Sequence, residues 1–189
     1  MIKLAILASG SGTNAEAIMS YFANHENIEI GLVMTNNAGA KVIERAKKYS
    51  VPCRIFTKMD LQSQNVEEIL KRYYIDFIIL AGFLLKIPPS LISTFPGKIV
   101  NIHPSLLPKY GGKGMYGHHV HDAVIKNGEK ESGITIHLVD EVYDNGKHLF
   151  QKSIPIEQGE SASHLAERIH VLEHEFYAKV IEKFVSGLI

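Results

Sequence analysis

The sequence predicts an α/β fold with a mostly parallel sheet covered by helices on both faces and an antiparallel extension in its C-terminal half. Two observations predict it. Short apolar, β-branched runs at residues 4–8, 28–34, 53–56, 77–81 and 99–103 read as strands. Between several of them lie segments, at residues 15–22, 41–49 and 66–74, whose apolar residues recur three or four apart. Strands buried on both sides and alternating with amphipathic helices are the signature of a Rossmann-like sheet.

The first run, from Leu4 to Ala8, leads straight into glycines and is too short for a secretory signal core, so it reads as an opening strand. In the segment 66–74, Val66, Ile69, Leu70 and Tyr73 share one helical face. After Gly111-Gly112-Lys113-Gly114, a flexible loop, residues 132–139 alternate Ile134, Ile136 and Leu138 with Thr135, His137 and Val139. Residues 148–154 form another candidate strand, antiparallel to its neighbour because little chain separates the two. A long helix follows over 163–184, with Leu165, Ile169, Leu172, Phe176 and Val180 on one stripe and Ser161 or Ser163 as its cap. Phe176 and Tyr177 are expected at core and rim. One domain over residues 1–189 is expected, with 1–100 forming a phosphate-binding half and 101–189 a catalytic half.

Lysine plus arginine and aspartate plus glutamate both number 20, so there is no basic excess of the kind that offsets nucleic-acid phosphates. No run approaches the roughly twenty apolar residues of a membrane span. Cys53 is the only cysteine, which excludes an intrachain disulfide or a cysteine-based zinc site. These features favour a cytoplasmic protein with small-molecule partners, no nucleic acid and no membrane, acting as a monomer or homodimer.

Two motifs carry chemistry. Ser9-Gly10-Ser11-Gly12-Thr13-Asn14 joins the first strand to the first helix. Glycines let backbone N–H groups approach a ligand, and a helix N-terminus favours an anion. A phosphate site is the leading reading. A dinucleotide site fits the glycine spacing less well, because the second strand ends in Met34-Thr35-Asn36-Asn37 without a carboxylate. A tight structural turn is the third possibility. The second motif ends the fifth strand: Asn101 and His103, two apart, project from the same face where ligands bind such sheets. A hydrogen-bonded histidine without a chemical role weighs about equally. Asp140-Glu141-Val142-Tyr143-Asp144-Asn145-Gly146 is an acidic turn, and a carboxylate from it against His103 would raise the imidazole's pKa. His118, His119 and His121 lack the spacing of a helical zinc pair, so no metal site is assigned. His137 could line the same site, but a packed, hydrogen-bonded histidine is the reading adopted.

With these residues in view, the chain resembles the glycinamide ribonucleotide formyltransferases over nearly its whole length. The resemblance rests on Asn101-Ile102-His103-Pro104-Ser105-Leu106-Leu107-Pro108-Lys109-Tyr110, on the glycine turn, on Leu80-Ala81-Gly82-Phe83, on Asp140 to Gly146 and on Leu172-Glu173-His174. It implies formyl transfer from 10-formyltetrahydrofolate to the amine of 5-phosphoribosylglycinamide, in purine biosynthesis and without a metal. It also implies roles. Asn101, His103 and Asp144 are catalytic, with Asp144 keeping His103 cationic. Gly12, Thr13, Asn14, His170 and Glu173 hold the ribonucleotide. Leu84, Leu85, Lys86 and Ile87 hold the folate with Asn101, Asp140, Glu141, Val142, Tyr143 and Asp144.

The sequence departs from the family pattern in places. Asn145 replaces the first glycine of a D-G-G turn and is expected to take a positive φ there. The segment 57–64 is shortened and lacks an arginine that contacts folate, a role for which Lys58 is the candidate. A deformylase would use the same trio with water as acceptor, but the phosphate turn argues for a phosphorylated one. A transferase acting on methionyl-tRNA is disfavoured by the neutral charge. A non-catalytic nucleotide-binding module would explain the glycine turn alone and leave the trio idle.

Overall fold

The computed structural model describes all residues, 1–189, as one seven-stranded sheet in the order β3-β2-β1-β4-β5-β6-β7. The strands are β1 (Ile2–Leu7), β2 (Ile28–Thr35), β3 (Cys53–Ile55), β4 (Phe77–Leu80), β5 (Ile99–His103), β6 (Glu131–Leu138) and β7 (His148–Pro155). The first five pair in parallel, whereas β6 is antiparallel to β5 and β7 to β6, so the expected α/β class and its C-terminal extension both stand. No helix is long and apolar enough to cross a membrane.

Seven helices flank the sheet: α1 (Thr13–Phe22), α2 (Val42–Lys48), α3 (Lys58–Gln62), α4 (Asn65–Arg72), α5 (Pro89–Thr94), α6 (His118–Lys126) and α7 (Ala162–Val185). Alternation along β1 divides the core. Leu4 and Ile6 join Ile18, Val42, Val124 and Ile181 on one face, while Ala5 and Leu7 join Leu61, Val66, Leu70 and Leu91 on the other. Burial of both faces explains why the parallel strands read as continuous apolar runs.

Three helices, α3, α5 and α6, were not legible. The first two are short, and α6 begins in the histidine-rich stretch after Gly117, where helix propensity is low. The stripe on α7 is also corrected. Leu165, Ile169, Glu173, Tyr177 and Ile181 are buried four apart, while Leu172 and Phe176 are only half-buried. Tyr177 is therefore the core aromatic and Phe176 the rim one, stacked on Phe150 at 5.1 Å. The Tyr177 hydroxyl donates to the carbonyls of Leu80 (2.8 Å) and Val100 (3.2 Å), anchoring α7 to the C-terminal end of β4 and the start of β5.

Candidate active site

Strand order reverses between β1 and β4, and such a switch point opens a crevice beyond the strands' carboxyl ends. Ser9, just past β1, spans it. Its hydroxyl donates to Asn36 Oδ1 (2.7 Å) and accepts from the Leu84 N–H (3.0 Å), tying together the ends of β1, β2 and β4. Beside this crevice lies a cavity of about 580 Å³.

On its wall the antiparallel register sets Asn101 opposite His137, and the Asn101 amide lies 3.2 Å from His137 Nε2. Because His137 Nδ1 sits 2.8 Å from the Leu138 carbonyl and must donate to it, Nε2 is left to accept from the Asn101 amide. His103 Nε2 similarly donates to the carbonyl of Tyr110 at 2.8 Å. Thr135 secures the connecting loop: its hydroxyl donates to the Ser105 carbonyl (2.7 Å) and accepts from the Leu107 N–H (3.0 Å). Ser105 in turn donates to the Lys109 carbonyl.

Asp144 Oδ1 stands 3.6 Å from His103 Nδ1 and 3.6 Å from His137 Nε2, while Oδ2 accepts from the Gly112 N–H at 2.8 Å. Burial pushes the His103 imidazole below its ordinary value, and the opposing pull of Asp144 does not reverse this. Burial alone would push Asp144 up, but its place beside the His137 and His103 imidazoles and the Gly112 N–H brings it below the usual carboxylate value. The resting pair is therefore a neutral imidazole beside a carboxylate. This corrects the expectation that Asp144 keeps His103 cationic: desolvation of the ring outweighs the single nearby charge.

A second cluster joins the glycine turn to α7. Thr13 Oγ1 lies 2.6 Å from His170 Nε2, His170 Nδ1 lies 2.7 Å from Glu173 Oε2, and Asn14 Nδ2 donates to the same oxygen at 2.9 Å. The Glu173 contact raises the His170 pKa. Two buried atoms on residues of the cavity wall, Asn14 Oδ1 and His121 Nδ1, have no partner within the chain. Buried polar atoms left so are normally completed by water or ligand.

A model of the formyl transferase family matches residues 2–181. The chain belongs to that family. It is 37% identical over 186 residues to the chloroplastic phosphoribosylglycinamide formyltransferase of Arabidopsis thaliana, covering 95% of this chain and 64% of that protein. It is 35% identical to the Bacillus subtilis phosphoribosylglycinamide formyltransferase, covering 98% of this chain and 96% of that one. The chain thus spans less than two thirds of the plant proteins it matches and nearly all of the bacterial one. Among solved structures, glycinamide ribonucleotide transformylase 1 from Geobacillus kaustophilus superposes with a TM-score of 0.88 at 41% identity, covering 97% of this chain and 98% of that one. The phosphoribosylglycinamide formyltransferase from Anaplasma phagocytophilum gives 0.91 at 30% identity, covering 98% and 88%.

Within this formyl transferase fold, Asn101, His103 and Asp144 meet on one wall, as do Asn14, His170, Glu173, Leu84, Leu85, Lys86, Ile87, Asp140, Val142 and Tyr143. Glu141 is off the wall. Gly12 and Thr13 stand behind Asn14, and Gly12 caps α1 with φ 71°, packed so closely that a Cβ would lie 2.6 Å from Val42 Cβ. The acidic turn differs from expectation. Asp144, not Asn145, takes the positive φ, 53°. Asn145 instead donates to Asp140 Oδ2 (3.1 Å), and Gly146 is required because a Cβ there would meet the Leu138 carbonyl oxygen at 1.9 Å. Lys58 is not on the wall. The 57–64 segment closes on itself, with Thr57 and Asp60 forming a capping box and Asn65 donating to Asp60 at 2.9 Å.

Sequence reasoning missed His121 and under-weighted His137. The signal for His137 was its place opposite Asn101 in an antiparallel pair. For His121 it was the spacing of Val120 and Val124, which places the ring on a helix face next to the core.

Proposed function

We propose that the protein transfers the formyl group of 10-formyltetrahydrofolate to the primary amine of 5-phosphoribosylglycinamide, giving formylglycinamide ribonucleotide and tetrahydrofolate. The observation that carries this reading is the buried imidazole of His103 set 3.6 Å from the carboxylate of Asp144, beside Asn101 and inside a cavity that also reaches Asn14 and Glu173. The relatives' names supply the reaction class; the residues supply a workable chemistry.

The ribonucleotide phosphate lies at the N-terminus of α1, against Gly12, Thr13 and Asn14, where free backbone N–H groups and the helix dipole favour an anion. His170 and Glu173 hold its sugar and glycinamide end, with Asn14 Oδ1 available to a donor on the substrate. The folate ring system lies between Leu84 to Ile87 and the turn 140–144, with Leu85, Ile87 and Val142 as its apolar walls.

The amine nitrogen attacks the formyl carbon and the carbonyl becomes an oxyanion. Asn101 spends one N–H on His137 and keeps the other for that oxyanion. With Nε2–H committed to Tyr110, the free lone pair of His103 is on Nδ1, which accepts the proton leaving the amine. The resulting imidazolium is stabilised by Asp144 and adds its charge to the oxyanion site. Collapse breaks the bond between the formyl carbon and N10 of the folate, and His103 returns the proton to that nitrogen. The groups named need no metal, and the acting unit is a monomer or a homodimer.

Release of tetrahydrofolate, followed spectrally with and without the ribonucleotide, tests the reading. Release only with the ribonucleotide is expected; equal release without it would make the protein a deformylase, and none under either condition would leave a binding module.

A further inference from the structure

Resting on that reaction, we propose that His121 selects the acceptor: its Nε2–H donates to the amide carbonyl that joins the sugar of the ribonucleotide to the reacting amine. The residue has no part in the chemistry described above, and none of the contacts assigned there meets that carbonyl.

Val120 and Val124 seat α6 in the core, and His121 beside them is only 5% exposed yet lines the cavity. Its Nδ1 is sealed from water and has no partner in the chain. Nε2 makes no hydrogen bond in the chain either, but it is not sealed, so it opens on the cavity. This decides the tautomer. A proton on Nδ1 would be a buried donor without an acceptor, whereas a bare lone pair is the better-tolerated orphan. The proton therefore belongs on Nε2. Burial also pushes the imidazole below its ordinary value, against the pull of Glu173, so the ring is a neutral donor.

The position of the ring names the group it meets. It feels the charges of Glu173 on α7 and of His103 at the end of β5, besides His118 and Asp122 on its own helix. Glu173 marks the sugar end of the bound ribonucleotide and His103 its amine end. In 5-phosphoribosylglycinamide the amide lies between those same two groups. A carbonyl taken out of water there needs a donor. The neighbours are already engaged: Thr13 with His170, and His170 and Asn14 with Glu173, whose carboxylate can only accept. His121 supplies the donor, and a carbonyl held by it fixes the methylene and amine that follow.

The experiment titrates wild type, His121→Phe and His121→Gln by calorimetry with 5-phosphoribosylglycinamide and with ribose 5-phosphate, which keeps the phosphate and sugar but has no amide. His121→Phe keeps a ring and removes the donor. Kd for the ribonucleotide should rise about tenfold, while Kd for ribose 5-phosphate stays unchanged. His121→Gln, whose side-chain amide carries an N–H near the place of Nε2, should recover most of the loss. Nitrogen NMR on the wild type needs no variant: His121 should be the Nε2–H tautomer, and the ribonucleotide but not ribose 5-phosphate should shift its Nε2 signal. Equal weakening toward both ligands, weakening toward neither, a His121→Gln variant as weak as His121→Phe, or an Nδ1–H tautomer would overturn the subsite. No folate is present in these measurements, so the transferase reading stands or falls separately, on the release of tetrahydrofolate.

Discussion

The carboxylate of Asp144 stands 3.6 Å from Nδ1 of His103, close enough to stabilise a proton there and too far to hold one in a hydrogen bond. That spacing suits an imidazole that gains and returns a proton within each turnover. Asp144→Asn keeps the shape and removes the charge, so kcat is expected to fall on the order of 10²–10⁴, the usual span for general acid–base catalysis. Asn101→Ala and His103→Ala should each lose on the order of 10²–10³. Steady-state kinetics with circular dichroism on each variant checks this; near-wild-type turnover in a folded variant removes that residue from the mechanism.

Protonation of His103 also sets a pH limb. Its pKa is lowered from 6.5, chiefly by burial, so the active neutral form persists below pH 6.5 and is lost on further acidification. The sign for stability follows. A histidine whose folded pKa is depressed binds protons more readily when unfolded, so stability falls as pH drops below 6.5. A kcat/KM profile, which reports the free enzyme, should bend downward only below pH 6.5. A bend at or above that value would place another group in charge of the limb.

His170 behaves in the opposite sense. Its contact with Glu173 raises its pKa, so the stabilisation is complete below the unfolded value of 6.5 and is lost as pH rises through the folded value. Glu173→Gln should lower the His170 pKa, read by NMR titration. It should also raise KM for the ribonucleotide about tenfold, the scale of a lost charge-assisted hydrogen bond. KM for the folate should stay unchanged; a rise in both would mean that Glu173 supports the whole cavity rather than one end.

Much of this site was legible because it follows strand periodicity. Asn101 and His103 are two apart on β5, and that spacing alone aims them together. His137 required the register of β5 against β6, which sequence spacing does not supply. Asp144 was legible as an acidic turn, but its positive φ was assigned to Asn145, the residue type that best tolerates it. The protonation state of His103 was misjudged for a related reason: a nearby charge can be guessed from a motif, whereas the depth of burial depends on packing from β6 and α7. Tyr177 was hidden likewise, since Phe176 and Tyr177 are equally apolar on paper and only the turn of α7 against the sheet decides which enters the core.

Tyr110 is expected to act on the mechanism through its backbone. It is a non-glycine residue at φ 56°, held there by a hydroxyl that donates to Glu129 Oε1 (2.8 Å) and accepts from Asn127 Nδ2 (2.9 Å). Its carbonyl is the acceptor that keeps the proton of His103 on Nε2. Tyr110→Phe removes the tether and lets the peptide relax, so kcat should fall about tenfold, with both KM values retained, if roughly 1.4 kcal/mol of this positioning is lost. The decisive readout is the nitrogen NMR signature of His103, which should shift from the Nε2–H form toward a tautomer mixture. An unchanged tautomer alongside reduced kcat would refute the backbone route.

Tyr177→Phe tests the anchor between α7 and the sheet. The hydroxyl is 1% exposed as part of its residue and donates toward two backbone carbonyls, Leu80 and Val100, which directly precede the Gly82 loop and Asn101. Removing it gives up a buried hydrogen bond to two sheet carbonyls, at a cost of about 1–2 kcal/mol. For a domain of this size that corresponds to a fall in Tm of about 2–8 °C. Because α7 also carries His170 and Glu173, loosening the anchor should weaken ribonucleotide binding more than folate binding, since the folate walls belong to the β4 loop and the acidic turn. Thermal unfolding and the two KM values measure both effects. A large Tm loss with equal KM changes would confine Tyr177 to holding the core, while no Tm loss would mean that the two carbonyls are satisfied without it.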